Sequence, residues 1–162
     1  MFIDGINHVT LKVRDLERSD RFYTDVLGLK RVGERLGMRF YSSGRFAHEL
    51  ALLLEPEYSP ATDQGLLHLC FNTPDEDRLR ALHRRCRTRG VPTTGGVDHT
   101  IMHSFYLRDP DGYVIEIGVD RPAEEWSGQP HAFARDRPLD LARPGLVSGE
   151  SPSSHESSTK RS

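Results

Sequence analysis

Residues 6–13 read INHVTLKV, and residues 66–72 read LLHLCFN. In both stretches apolar and polar residues alternate, which is the pattern of a half-buried β-strand. Each stretch also carries one histidine, His8 or His68, on the face opposite its apolar residues. The two stretches begin a weak internal repeat, and this repeat decides the fold.

After each of these strands the sequence predicts one helix and three further strands. In the first half, Asp15 caps a helix that ends at Gly28. In the second half, residues 73–76 (TPDE) resemble a capping box, and the helix ends at Gly90. The remaining strands are predicted at residues 30–35, 39–42, 49–54, 92–94, 103–108 and 113–119. The prediction is an α+β fold: two paired βαβββ modules, about residues 5–55 and 65–120, form one open, curved mixed sheet.

The last quarter of the chain has a different composition. Residues 121–146 are rich in Pro and Arg with a few apolar anchors, which indicates an extended C-terminal arm lying on the domain. Residues 147–162 are Ser-rich with almost no apolar content, which predicts a disordered tail. The folded domain is therefore expected over residues 1–120.

Charge and composition exclude several classes of protein. The 162 residues contain 22 Lys and Arg against 24 Asp and Glu, a net charge of −2. This balance argues against nucleic acid or a membrane as partner. The sequence shows no membrane-spanning apolar run and no secretory signal, so we expect a cytoplasmic protein. The two cysteines do not form a CxxC pair, which argues against a zinc-finger type site.

Three residues on the polar faces of the predicted strands could bind a metal. His8 and His68 occupy equivalent places in the repeat, and Glu116 interrupts the last strand opposite its apolar residues. Two imidazoles and one carboxylate form a facial triad, which leaves coordination positions open for substrate and dioxygen. An unpaired buried carboxylate would also be costly without a cation. The alternative is two structural histidines and a partly buried glutamate.

The sequence resembles the vicinal oxygen chelate superfamily over about residues 5–126. The motifs that carry the resemblance are NHVTL at 7–11, FYTDVLG at 22–28, LHL at 67–69, FYLRDPDG at 105–112 and IE at 115–116. The resemblance implies that His8, His68 and Glu116 are metal ligands in a cup formed by paired βαβββ modules. It does not determine the reaction.

Further motifs resemble small extradiol catechol dioxygenases. AHELAL at 47–52 resembles the segment of the acid–base histidine, here His48. VDHTIMHSFY at 97–106 resembles the stretch with a second active-site histidine and a substrate-binding tyrosine, here His99 and Tyr106. DRP at 120–122, EEW at 124–126 and PLDL at 138–141 resemble the C-terminal arm of these proteins. Each of these residues also has an ordinary structural interpretation.

The resemblance implies an Fe(II)-dependent extradiol dioxygenase, with Mn(II) as an alternative metal. Its partners would be a small aromatic diol and O2. Such chemistry needs a histidine that moves a proton and donors that hold the diol oxygens. Met38, Leu50, Leu52, Met102 and Phe105 are candidate pocket-lining residues, or equally ordinary core.

Two other functions stay open from the sequence. A metal-dependent thiol transferase of the fosfomycin-resistance type shares the His, His, Glu spacing and the turn at 109–112. A metal-free drug-binding protein of the same fold is the non-enzymatic alternative. Because only two modules are present, sheet edges are left exposed, so we expect a homodimer or a larger assembly.

Overall fold

A computed structural model describes residues 2, 5–59, 66–129, 132 and 136–142. The first module contains one helix and four strands. They are β1 (Val9–Val13), α1 (Leu16–Arg21), which continues as a π-helical turn (Phe22–Val26), β2 (Lys30–Arg35), β3 (Met38–Ser42) and β4 (Leu50–Leu54). The strand order is β1-β4-β3-β2, with β1 and β4 parallel and the other pairs antiparallel.

The second module repeats this arrangement. It comprises β5 (Leu69–Asn72), α2 (Glu76–Thr88), β6 (Gly96–Asp98), β7 (Met102–Arg108) and β8 (Val114–Asp120), followed by α3 (Ala123–Trp126) and β9 (Arg137–Leu139) of the C-terminal arm. The order is β5-β8-β7-β6-β9, again with one parallel pair, β5 and β8. The predicted fold class, an α+β protein of two βαβββ modules, is confirmed.

The strand register shows that the two modules are true equivalents. Thr10 pairs with Ala51 in the first module, and Cys70 pairs with Glu116 in the second. His8 and His68 each lie two residues before the first member of these pairs. Ala51 therefore occupies the place that Glu116 has in the other module.

Among the described residues the modules form two separate sheets, whereas the sequence predicted one continuous sheet. β1 and β5 each lie at an edge of their sheet. Ile6 and Leu67, just before these edge strands, are 89% and 82% exposed. Leu67 is thus not part of the buried apolar face on which its alternation placed it.

The apolar faces of both sheets contribute to one core. Leu11 and Val13 from the first module and Ile115 and Ile117 from the second are buried in it, as the alternation predicted. The C-terminal arm also contributes Leu141, which is buried.

A buried polar contact connects the modules. Asp111, in the turn after β7, accepts hydrogen bonds from Arg14 Nε (2.9 Å), Arg18 Nη2 (2.7 Å) and Ser19 Oγ (3.1 Å). Nearby, Tyr23 OH donates to Asp109 Oδ2 at 2.9 Å. The turn of the second module is therefore bound to α1 of the first.

The predicted start of α2 was too early. Asp75, not Thr73, is the N-cap, because its side chain accepts a hydrogen bond from Arg78 N at 2.7 Å. Thr73 instead donates its backbone N–H to Gly118 O, which extends the pairing with β8. Pro74 consequently precedes the helix.

The predicted strand at residues 92–94 is also wrong. Only an isolated bridge, from Thr93 to Leu107, is present there, and the strand that pairs with β7 is β6. Pro92 has no backbone N–H to donate to a ladder. The Thr94 hydroxyl accepts the Tyr106 N–H at 2.9 Å, in place of a ladder carbonyl.

The C-terminal arm is partly described. α3 follows β8, and β9 adds to β6 in antiparallel register. The predicted tail at residues 147–162 lies outside the described residues. No helix in the described part of the chain is long and apolar enough to cross a membrane.

Candidate active site

Glu116 is the centre of a polar cluster on the face of the second sheet opposite α2. Its carboxylate is buried, and Oε2 lies 3.0 Å from His68 Nε2. Tyr106 OH donates to Oε1 at 2.6 Å. His99 Nε2 lies 3.5 Å from the same Oε1. Three of the other five residues predicted from the sequence therefore surround the Glu116 carboxylate.

The strand register explains why these side chains meet. Tyr106 pairs directly with Glu116 across β7 and β8, and Cys70 pairs with it across β5 and β8. His68 precedes Cys70 by two residues, so it points to the same face of the sheet. Three neighbouring strands thus each contribute to one cluster.

The buried carboxylate affects its neighbours. Desolvation, together with the hydrogen bond to Glu116 and its charge, raises the pKa of Tyr106 to about 12. Cys70 is classed as exposed, but its thiol is partly desolvated. This desolvation, together with the charge and hydrogen bond of Glu116, raises the pKa of Cys70 to about 12. At neutral pH the phenol and the thiol are therefore both protonated and able to donate hydrogen bonds.

His99 is held through both ring nitrogens. Nδ1 lies 2.6 Å from Asp136 Oδ1, in the C-terminal arm. Nε2 lies 3.1 Å from both Tyr106 OH and Ser104 Oγ. The ring therefore presents Nε2 to the cluster and Nδ1 to the arm.

His8 and His48 lie together on the first module. Their ring centroids are 4.4 Å apart, and the His48 ring also lies edge-on to Phe40 at 5.2 Å. His8 is exposed, and its Nδ1 is 2.9 Å from Asn7 Oδ1. The six predicted residues thus divide into two groups, one on each module.

This division limits how a metal fits within one copy of the chain. No group of three potential ligands in the described ranges could hold a metal ion, so His8 does not join His68 and Glu116. The close imidazole and buried carboxylate of His68 and Glu116 are two donors of the type that a divalent metal binds. A facial triad requires a third donor besides these two.

The sequence missed three residues of the cluster. Cys70 and Ser104 were recognisable by parity, since they lie two residues from His68 and Tyr106 on the same face. No local signal could have found Asp136, because the arm reaches His99 only through tertiary pairing. The candidate lining residues Leu50, Leu52 and Phe105 are fully buried core instead.

A separate crevice of about 390 Å³ lies between α2 and the end of the π-helical turn. It is bordered by Leu27, Leu29, Phe71, Leu82 and two arginines, Arg78 and Arg85. None of the predicted site residues lines it. The polar cluster therefore lies on a different face from this crevice.

Residues 5–117 match the Glyoxalase/Bleomycin resistance protein/Dioxygenase superfamily, and the chain belongs to this family. Among the solved structures, lactoylglutathione lyase from Agrobacterium tumefaciens is similar, with a TM-score of 0.60 and 27% identity. This match covers 74% of the present chain and 96% of the lyase.

Two of the relatives are enzymes with different reactions. Biphenyl-2,3-diol 1,2-dioxygenase 3 of Rhodococcus globerulus is 33% identical over 118 residues, which is 70% of this chain and 62% of that protein. Glutathione transferase FosA of Serratia marcescens is 29% identical over 72% of this chain and 82% of its own. The chain therefore spans less than two thirds of the dioxygenase, and the family alone does not determine its reaction.

Proposed function

We propose that the protein is an Fe(II)-dependent extradiol dioxygenase that cleaves a catechol-type diol with O2. The observation that carries this proposal is the cluster in which Tyr106 and His99 converge on the carboxylate of Glu116 beside His68. The similarity to a biphenyl-diol dioxygenase supports the same reaction class.

In this proposal His68 and Glu116 are two of the metal ligands. Ligand type suits Fe(II) and Mn(II) alike, so metal analysis of the purified protein would distinguish them. When bound, iron supplies the redox chemistry by which dioxygen attacks the aromatic ring.

Tyr106 and His99 are proposed to hold the diol. Tyr106 is protonated at neutral pH, so its hydroxyl can donate a hydrogen bond to a diolate oxygen next to Glu116. His99 Nε2 lies 3.1 Å from that hydroxyl and can accept a hydrogen bond from the second diol oxygen. Such preorganised polar groups orient a substrate before it reacts.

The third ligand, His8, is proposed to come from a second copy of the chain. β1 and β5 are sheet edges that no other strand of the described residues pairs with, and an unpaired edge is a template for another strand. Pairing β1 of one copy with β5 of another would bury Ile6 and Leu67 and bring the His8 and His48 group to the Glu116 cluster. His48, beside His8, would then accept a proton from the diol and return it to the ring-opened product.

Oxygen consumption tests the proposal. Protein loaded anaerobically with Fe(II) should take up O2 when catechol or 2,3-dihydroxybiphenyl is added, and a yellow ring-opened product should form. A His68→Ala control should show no uptake. Metal binding without uptake for either diol would contradict the proposal.

A second candidate is a metal-dependent thiol transferase. It is favoured by one observation: the chain covers 82% of FosA but only 62% of the biphenyl-diol dioxygenase. Mn(II)-loaded protein that adds a thiol to fosfomycin, and does not consume O2 with catechols, would establish this candidate instead.

A further inference from the structure

We propose that Asp136 is a positioning residue that sets the tautomer and orientation of His99. This inference rests on the proposed function, and it extends the site beyond residues 5–117, which match the family. The C-terminal arm then becomes part of the active site.

The arm brings Asp136 to His99 by strand pairing. In the antiparallel register of β6 and β9, Asp98 pairs with Arg137. The residues next to this pair, His99 and Asp136, consequently lie side by side. Their close atoms are His99 Nδ1 and Asp136 Oδ1, at 2.6 Å.

The arm is held at several points. Leu141 is buried in the core, and Arg80 Nη1 donates to the backbone carbonyl of Asp140 at 2.6 Å. Gly96 is also required, because a Cβ at this position would lie 2.6 Å from both Leu139 O and Leu141 Cγ. The position of Asp136 is therefore a consequence of packing and not of the ion pair alone.

The chemistry of the two groups determines the tautomer. An ionised carboxylate only accepts hydrogen bonds, so the proton on the neutral ring is at Nδ1. Nε2 then carries the lone pair and faces Tyr106 and Ser104, where a diol hydroxyl can donate to it. A carboxylate that fixes the tautomer of a histidine in this way is a recurring feature of active sites.

The contact is unsuited to a role in stability. The Asp136 side chain is 70% exposed, and exposed ion pairs contribute little to the free energy of folding. Removal of this carboxylate should therefore leave the fold intact and affect only His99.

Asp136→Ala tests the inference by two measurements. Long-range ¹H–¹⁵N correlation spectra of the metal-free protein should show His99 protonated at Nδ1 in the wild type and a mixture of tautomers in the variant. With Fe(II), kcat for catechol should fall about 10-fold, while KM and metal content change less than about 2-fold.

Two glycine variants provide the matched pair. Gly96→Ala should displace the arm and reproduce both effects, whereas Gly95→Ala, whose Cβ meets nothing within 4 Å, should match the wild type. Unchanged His99 spectra and kcat in Asp136→Ala would overturn the inference. If the wild type consumes no O2, the proposed function fails, and the spectra still decide whether Asp136 sets the tautomer.

Discussion

Glu116 shows how one residue depends on the whole fold. Its carboxylate is buried on the polar face of β8, where His68 and Tyr106 contact separate oxygens. Burial of a charge without partners would be strongly unfavourable, and these contacts offset part of that cost.

Tyr106→Phe tests the role of the phenol in the reaction. The variant loses the proposed donor to the diol but none of the proposed metal ligands, so kcat/KM should fall about 100-fold while Fe(II) still binds. Steady-state oxygen uptake and metal analysis measure the two quantities. Tyr113→Phe, which removes a hydroxyl outside the cluster, is the control and should match the wild type. Equal kcat/KM for Tyr106→Phe and the wild type would contradict the assigned role.

Asp111→Asn should weaken the contact between the modules. The carboxylate accepts hydrogen bonds from two arginines and a serine, and hydrogen bonds to charged groups contribute about 1.5–3 kcal/mol. We expect the free energy of unfolding at pH 7 to fall by about 2–3 kcal/mol. Urea unfolding followed by circular dichroism measures this difference.

The effect of Asp111 should depend on pH in a defined direction. Burial alone would raise its pKa, but the hydrogen bonds from Arg14, Arg18 and Ser19 outweigh burial and lower the pKa below its usual value. The stabilisation is thus present above the unfolded pKa of about 4 and is lost as the pH falls through the lower folded value. The difference in the free energy of unfolding between the wild type and Asp111→Asn should become smaller below about pH 4.

Asp109 provides the opposite case. Burial raises its pKa, despite the hydrogen bond from Tyr23, so its contribution to stability declines as the pH rises from the unfolded pKa through the folded one. As the pH rises between these two pKa values, the free energy of unfolding of Asp109→Asn should therefore increase relative to that of the wild type. The same pH trend for both variants would contradict these assignments.

The residues of the site could be predicted from the sequence only in part. Alternation placed His68 and Glu116 on one face, because each strand is regular and has a clear apolar side. Asp136 could not be predicted, since its contact with His99 depends on how β9 pairs with β6. For the same reason, the Asp111 contact with α1 could not be predicted from a turn motif.

At the scale of the elements, the repeated βαβββ order follows from local signals. Alternating strands, helix caps and terminal glycines are local features, and they located most elements within a few residues. The errors arose where residues near the predicted elements bond to neighbouring strands. The Thr94 hydroxyl accepts the Tyr106 N–H, and the Thr73 backbone N–H donates to Gly118 O, and composition shows neither contact.

The N-cap of α2 is open to a direct test. Asp75→Ala removes the acceptor for Arg78 N and should lower the free energy of unfolding by about 1 kcal/mol. Asp77→Ala, an exposed acidic residue in the first turn without the capping bond, should cost less than about 0.5 kcal/mol. Thermal unfolding compares them, and equal losses would contradict the assignment of the cap.

At the scale of the whole molecule, β1 and β5 lie at sheet edges and have no second partner strand in the part of the chain that the structure describes. The polar groups divide in the same way, with His8 and His48 on one module and the Glu116 cluster on the other. The sequence predicted an oligomer because two modules leave sheet edges exposed, and it also predicted one sheet within the chain, whereas the described residues form two. The separation of His8 from His68 and Glu116, the three proposed metal ligands, becomes visible only in the arrangement of the modules.

Leu67→Lys tests the edge as an interface. The residue is 82% exposed, so a lysine there should not affect folding of one copy, but it should oppose pairing of β5 with another strand. Analytical ultracentrifugation should show monomers, and oxygen uptake should be lost. Leu36→Lys, at a position 88% exposed beyond the end of β2, is the control and should remain assembled and active. An assembled and active Leu67→Lys variant would contradict the proposed pairing.

Complementation between two inactive variants tests the central claim most directly. His8→Ala and Glu116→Gln should each consume no O2 with catechol, because each lacks a metal ligand in every site. When the two variants are co-expressed, random pairing should make half of the dimers heterodimers, and each heterodimer has one intact site out of two. We therefore expect about a quarter of the wild-type rate of O2 uptake. No recovery from mixed dimers, verified by separate affinity tags, would contradict an active site shared between two copies.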